Sequence, residues 1–573
     1  MELGVDTSSA PPNVVLRRLV TPRCTIITPC FNDGVFLEEL RRSIGLGEAV
    51  HHVIVDDGST DPVTLEILAS MEAGPGVTVL RTLRSGPAFA RNLAIRAVET
   101  PYVMPVDADD TIMPGAIRDL ADALDADPGL SVVWGDTVIF GARLAKVPCA
   151  ADLDPWWFTF VNDVVVGLMG RTEVLAQAGW DETSGYEDWG TTLSLIGAGA
   201  RGRNVGRVTY GYRSHTQSRR RNEVGKRDEE EVENLRTRYR WILRQRRELR
   251  RRSSAPFGVR VIGTMVAGIP GLSGSSQNRW VNRLSRYVWR RRWIHHPGDL
   301  PCHPLSMRLR SDRTTHASGQ LVLGVRDVVP SATHVVIVSP HRDDAVLSAF
   351  ALLDDPGLTA EVVNVFTEPT DSAEWIDRVG AANAVQEAEE RQREDHCALG
   401  GRAVVVDLGC GSRISEDDLR ARLERALDTS HQAHGAGLLV AAPAGAGLLT
   451  AAPRLHGVGP VARLLGTATS LRHRDHLIVR DAVLKWASAH PDVCAIVFDD
   501  FPYHWAKSAL RRTDPDGAFH LPVDTTAKAA AIRCYASQME ALFTTEQGAH
   551  LEGWLPPVET YSRPNLGHCG RSM

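Results

Sequence analysis

The chain has 573 residues, more than a single hydrophobic core usually serves, so two or three domains of roughly 100–200 residues are expected. Its composition, 43% hydrophobic and 23% charged, is ordinary for a globular protein, and 64 Lys and Arg against 70 Asp and Glu leave a net charge of −6 that singles out no class of partner. Nine cysteines without a CxxC pair exclude a disulfide framework and suit a reducing compartment. Met1 to Asn13 lacks the basic-then-apolar pattern of a signal peptide, and no apolar run reaches the ~18 residues of a spanning helix. A cytoplasmic protein is therefore expected.

From about Arg23 to Tyr212, short β-branched runs alternate with helical patterns: Cys24-Thr25-Ile26-Ile27, His52-Val53-Ile54-Val55, Val77-Thr78-Val79-Leu80 and Tyr102-Val103-Met104. This rhythm predicts βαβ units in a mostly parallel sheet. Ligands of open α/β sheets gather beyond the carboxyl ends of the strands. The first run leads into Thr28-Pro29-Cys30-Phe31-Asn32, the second into Asp56-Asp57-Gly58-Ser59, and the fourth into Asp107-Ala108-Asp109-Asp110. Asp107 and Asp109 are two apart, so both can face one side, forming a hard oxygen site suited to Mg²⁺ or Mn²⁺. Acids after a strand also serve as solvated turn and cap residues, and one Asp-Asp-Gly alone would carry little.

With Gly86-Pro87-Ala88-Phe89-Ala90-Arg91-Asn92 and Gly185-Tyr186-Glu187-Asp188-Trp189, these motifs form an ordered set over about Thr21 to Ser218 that resembles the family 2 glycosyltransferases of GT-A fold. The resemblance implies a UDP-sugar donor held by Pro29, Phe31, Asp57 and Arg91, with Phe31 stacking on the base and Asp57 hydrogen-bonding it. Asp107 and Asp109 become the metal and diphosphate site, and Asp188, with Glu187 beside it, the base that deprotonates an acceptor hydroxyl, inverting the anomeric carbon. His215 is a candidate for the diphosphate or the metal, and equally a satisfied polar residue.

From about Arg219 to Gln320 the chain is dense in arginine. Residues 236–252 read as a charged helix packing between domains. Farther on, Trp280, Leu284 and Val288 share a helical face ringed by Arg279, Arg283, Arg286 and Arg290, which suits either an interfacial helix on anionic lipid or one docked on the preceding domain. No recognised module accompanies the arginines, so no nucleic-acid partner is expected.

Past Leu321 the strand–helix rhythm returns with Val335-Val336-Ile337-Val338, Val362-Val363-Asn364-Val365, Val404-Val405-Val406, Leu438-Leu439-Val440 and Ile496-Val497-Phe498. The run Val338-Ser339-Pro340-His341-Arg342-Asp343-Asp344 follows the first of these, and His473-Arg474-Asp475-His476 lies far downstream. Two His and a carboxylate make a usual catalytic zinc set, and a further carboxylate could take a proton from water. Either piece alone reads as a surface cluster at a helix start.

Together, with Arg393-Glu394-Asp395, Asp499-Asp500-Phe501-Pro502-Tyr503 and Tyr535-Ala536-Ser537-Gln538, they resemble the PIG-L/LmbE deacetylases over about Thr333 to Tyr561. The resemblance implies removal of N-acetyl groups from amino sugars, with His341, Asp344 and His476 as Zn²⁺ ligands, Asp343 as general base, and His473 stabilising the oxyanion or protonating the leaving amine. Two departures from the family pattern are His341-Arg342-Asp343-Asp344-Ala345 where His-Pro-Asp-Asp-Glu is usual, and Arg474 where the downstream His-x-Asp-His piece usually has Pro; no ligand is lost, so the metal site is expected to survive. Residues 448–470 read as an insertion able to form a lid or acceptor pocket.

The expected architecture is thus α/β: a GT-A nucleotide-sugar-binding domain (1–252), a basic helical linker (253–320) and a Rossmann-like PIG-L/LmbE domain (321–573), each catalytic part with enough strands for a core of its own. The expected activity is sugar transfer to a hexosamine-containing, glycan, lipid or small-molecule acceptor, followed by deacetylation. Two alternatives stand beside it: two active domains on different substrates of one pathway, or one inactive domain serving as a binding module, for which Arg342 and Ala345 make the second domain the better candidate.

Overall fold

The computed structural model describes residues 21–214, 228–261, 320–369, 376, 381–445, 474–501, 518–543 and 548–564, apart from positions 47, 142, 143, 148, 165, 256, 258, 259 and 412. Among these, two sheets carry the fold. The first contains β1 (Cys24–Cys30), β2 (His51–Asp56), β3 (Val77–Arg81), β4 (Tyr102–Pro105), β5 (Thr111–Ile112), β6 (Val132–Gly141), β7 (Ala145–Val147), β8 (Met169–Arg171) and β9 (Gly202–Ser214), in the order β3-β2-β1-β4-β8-β6-β9-β5 with β7 on β6. The second contains β10 (His334–Ser339), β11 (Thr359–Asn364), β12 (Ala403–Asp407), β13 (Leu438–Pro443), β14 (Cys494–Phe498), β15 (Ala518–Pro522) and β16 (Val558–Ser562), in the order β12-β11-β10-β13-β14-β16-β15.

Central strands are apolar on both faces because helices cover both. In β10, Val335 and Ile337 enter one core cluster while Val336 and Val338 enter the other; in the first sheet Ile26 and Ile27 divide the same way. β3, β2, β1 and β4 run parallel, joined by the helices Gly34–Gly45, Pro62–Glu72 and Pro87–Ala94. The second of these starts as its sequence dictates, with Pro62 at the first turn and the Asp61 side chain capping the Thr64 N–H.

The first sheet departs from the mostly parallel expectation beyond β4. β8 is antiparallel to both β4 and β6, and β5 is antiparallel to β9. β6 turns directly into β7, a connection too short for a parallel crossover. In the second sheet β12, β11, β10, β13 and β14 are parallel, and β16 and β15 close the edge antiparallel.

The charged stretch 236–252 is not one helix but parts of three: Asp228–Arg238, Arg240–Leu243 and Arg246–Arg252. Its few apolar side chains explain its placement, since Leu235, Tyr239 and Ile242 pack on Trp189 and Leu193 of the first unit. The chain stays on that unit through Ala255, where Asp154 accepts from the Ser254 N–H and the Ser253 hydroxyl, 2.7 Å each. The Trp280 segment, His215, residues 448–470 and His473 lie outside the described residues. Among the described residues no helix is long and apolar enough to cross a membrane. Cys397 and Cys534, 137 residues apart, form a disulfide. Their spacing did not predict it; the pairing comes from helix Ala384–Leu399 lying against the end of helix Thr525–Arg533.

Candidate functional site

The strand ends of the first sheet bring the predicted acids together. Pro29 is half-buried near the end of β1, opposite Val55. Phe31 follows, with the Arg84 guanidinium over its ring at 4.2 Å, so a base stacking on Phe31 would share the ring with Arg84. Asp57, buried after β2, accepts the Ser85 and Gly86 N–H groups at 2.5 and 2.7 Å and so shapes the loop entering helix Pro87–Ala94.

That helix carries Arg91, whose guanidinium is buried among three acids: Asp107 at 2.5 Å, Glu187 at 3.3 Å and Asp188 at 3.4 Å. Glu187 and Asp188 open helix Glu187–Gly197, where the helix dipole favours negative charge. Asp107 and Asp109 sit in the turn after β4, each half-buried. The turn is held from β9: the Tyr210 hydroxyl donates to Asp110 at 2.6 Å, the Arg213 N–H donates to Asp110 at 2.8 Å, and the Arg213 Nε donates to the Asp109 carbonyl at 2.7 Å. Burial, with Asp109 and Asp107 adding to it, raises the Asp110 carboxyl well above the usual range. Two hard carboxylates on a half-exposed turn fit Mg²⁺ or Mn²⁺.

In the second sheet His341, Asp344 and His476 converge, their ligand atoms all lying within 4.8 Å of one another. His341 Nδ1 is 3.2 Å and His476 Nε2 3.3 Å from the same Asp344 oxygen. The remaining ring nitrogens are each backed by a carboxylate: His341 Nε2 by Asp475 at 3.4 Å and His476 Nδ1 by Asp500 at 3.4 Å. Metal-ligating histidines are held this way, which fixes ring orientation and raises basicity. Although burial opposes it, Asp344 and Asp475 hold the His341 imidazole up at about 9, and Asp344 and Asp500 raise that of His476. The site therefore favours positive charge, and a divalent cation can take the place of those protons. A nitrogen, nitrogen, oxygen set fits zinc.

Asp343 is not part of this convergence; its carboxylate accepts from Arg391 at 3.2 Å. Both changes in the His341 segment are absorbed structurally, and Arg474 is exposed at the start of its helix. Arg342 makes a two-pronged pair with Asp407 at the end of β12, 2.8 and 2.7 Å, and Ala345 is packed in the core with Phe350. The Tyr535 hydroxyl donates to Asp395 at 2.8 Å and lies 3.1 Å from the Arg342 carbonyl, bracing the ligand loop. In the sequence Asp475, Asp500 and Tyr535 stand out only as parts of motifs, and Arg391 and Tyr210 not at all, because spacing alone carries no sign of their partners.

Residues 25–147 match the family described as Glycosyl transferase family 2. Over 107 residues the chain is 32% identical to the poly(ribitol-phosphate) β-N-acetylglucosaminyltransferase TarS of Staphylococcus aureus (strain Mu50 / ATCC 700699), which covers 18% of each. It is 30% identical over 115 residues to the succinoglycan biosynthesis protein ExoU of Rhizobium meliloti (strain 1021), covering 20% of the chain and 31% of that protein. The chain thus spans less than a third of the length of these curated relatives. Among solved structures, a deacetylase triple mutant of the teicoplanin biosynthetic pathway aligns with 41% of the chain and 99% of its own length, at 21% identity and a TM-score of 0.30.

Proposed function

We propose that the chain is a bifunctional carbohydrate enzyme: it transfers an N-acetylhexosamine from a UDP donor to an acceptor hydroxyl with inversion, and a zinc-dependent site then hydrolyses the N-acetyl group. Two convergences support this reading: Arg91 drawing Asp107 and Asp188 together at one sheet, and His341, Asp344 and His476 meeting at the other. The second carries the most weight, because residues 132 positions apart supply one ligand set with a carboxylate behind each imidazole. The N-acetylglucosaminyl specificity named for TarS, 32% identical over the matched segment, favours N-acetylglucosamine as the sugar.

In the transfer half, Asp188 takes the proton of the acceptor hydroxyl as that oxygen attacks the anomeric carbon. Arg91 fixes its carboxylate and links it to Asp107. Asp107 and Asp109 would hold a divalent cation, which when bound would neutralise charge on the departing diphosphate. Phe31 and Asp57 hold the nucleotide base, by stacking and by hydrogen bonding. In the hydrolytic half, His341, Asp344 and His476 would hold zinc, which when bound would supply Lewis acidity toward the amide carbonyl and lower the pKa of water. Asp343 accepts the proton of the attacking water and is kept in place by Arg391. Asp475 and Asp500 hold the two imidazoles in register. His473 is assigned to the oxyanion or the leaving amine by its place in the motif. A cytoplasmic location and peripheral membrane contact through the Trp280 segment belong to the same proposal; the Cys397–Cys534 disulfide is the observation that weighs against a reducing compartment.

The test is paired release from UDP-N-acetylglucosamine and an acceptor panel. Wild type should release UDP and acetate. Asp188→Asn should stop UDP release, and Asp343→Asn should stop acetate release alone. UDP release without acetate from any acceptor would leave only the transfer half standing.

A further inference from the structure

The two units meet at a closed ring of four ion pairs. Arg207 of β9 lies 3.0 Å from Asp119 and 3.0 Å from Asp524; Arg118 lies 2.9 Å from Asp119 and 2.9 Å from Asp524. Three members belong to the first unit and sum to one excess positive charge; Asp524 of the second unit supplies the matching negative charge. The Arg207 side chain is 2% exposed and that of Asp524 6%. Arg207 also donates to the Pro114 carbonyl at 2.6 Å and to the Thr525 and Thr526 hydroxyls at 3.4 Å each, and the Thr526 hydroxyl donates to Asp119 at 2.7 Å.

Asp524 is at the same time the N-cap of helix Thr525–Arg533, accepting the Thr526 and Ala527 N–H groups at 3.1 and 3.0 Å. The approach is close enough to require a glycine. A Cβ on Gly115, which sits at φ +71°, would stand 2.1 Å from the Asp524 carboxylate. Beside the ring, Leu321 is buried in the first unit's core cluster. At the rim, Arg42 pairs with Asp327 at 2.8 Å, where exposed pairs contribute little. Once the two surfaces are in contact, removing either Arg207 or Asp524 leaves the other buried without its partner, which is strongly unfavourable.

We propose that the second unit is a resident partner of the first, docked through the Arg207–Asp524 ring, so that both sheets move as one body rather than as two domains on a tether. The inference depends on neither proposed activity. Each unit keeps its own sheet, and Leu321 of the second unit is buried with the core residues of the first.

The experiment places a site-specific protease sequence within 262–319 of the full chain, cuts it, and applies the product to size exclusion at low micromolar concentration. The cut halves should co-elute with the uncut chain. Arg207→Glu should weaken their association at least about 30-fold and separate them. Asp524→Asn, which keeps a capping oxygen but removes the charge, should weaken it at least about 10-fold with unchanged circular dichroism of each half. Arg42→Ala at the rim should change nothing. Wild-type halves that elute separately would overturn the proposal, and so would Asp524→Asn halves that stay folded and bind each other as tightly as wild type.

Discussion

Arg91 Nη1 stands 3.4 Å from a carboxylate oxygen of Asp188, and Nη2 of the same buried guanidinium reaches Asp107 at 2.5 Å, so the proposed base and the proposed metal acid are tied to one side chain. Replacing Arg91 with Met leaves three acids facing one another without their cation. Breaking a buried pair this way should cost about 3 kcal/mol of stability and lower transfer at least about 100-fold. Arg91→Lys should recover stability more than rate, because an ammonium cannot span three acids as a planar fork does. Thermal melts and UDP release on the same samples check both; a Met variant with wild-type melting and turnover would remove Arg91 from the site.

The proposed zinc ligands and their backing acids should separate cleanly in metal analysis. His341→Ala with His476→Ala should abolish bound zinc, and Asp343→Asn should keep it while losing acetate release. Asp500→Ala removes only the carboxylate behind His476 and should weaken zinc binding about 10–100-fold. If Asp343→Asn loses zinc and Asp344→Asn keeps it, the roles of the two aspartates are reversed.

Chelation should act on the transfer half through Asp107 and Asp109. EDTA should stop UDP release and added Mg²⁺ or Mn²⁺ should restore it, while Asp109→Asn should stay inactive in either metal. The turn is half-exposed and held by Tyr210 and Arg213 through Asp110 and the Asp109 carbonyl, so the fold should barely change. Full transfer in EDTA would contradict the metal assignment.

Acid should destabilise the first unit through His52. Burial, with Arg41 adding to it, pushes the His52 imidazole down to about 3, while its Nε2 shares a 2.9 Å hydrogen bond with the Thr28 hydroxyl. The folded protein keeps this ring neutral, and the unfolded chain protonates it near 6.5. The unfolded state therefore binds more protons, and stability falls as pH drops from about 6.5 toward 3, by about 2 kcal/mol at pH 5. His334, pushed down to about 4 by burial beside His434, acts in the same sense in the second unit. Melting at pH 7.5 and pH 5 should show the loss, and His52→Gln should lessen it; an unchanged pH slope in the variant would remove His52 as its cause.

Local features of this fold were legible because they repeat over short distances. The β-branched runs at Ile26, Val53 and Val336 are strands, and the acids that follow them cluster where parallel strands end. What escaped were pairings decided by packing between distant segments. Arg91 and Asp188 are 97 residues apart, Arg342 and Asp407 65, and Arg207 and Asp524 317. Arg342 stands out in the sequence only as a departure from the family pattern, because its partner at the end of β12 cannot be read from spacing. The antiparallel half of the first sheet was missed for a similar reason: β8 has only three residues and leaves no periodic signature.

The sequential model is tested most directly by mass spectrometry of the conjugates formed from UDP-N-acetylglucosamine and a panel of glycan, lipid and small-molecule acceptors. Wild type should yield a conjugate carrying a free amine, Asp343→Asn should accumulate the acetylated conjugate, and Asp188→Asn should make no conjugate yet deacetylate one that is supplied. A wild-type protein that releases only acetylated conjugate, and leaves the supplied conjugate untouched, would contradict the account.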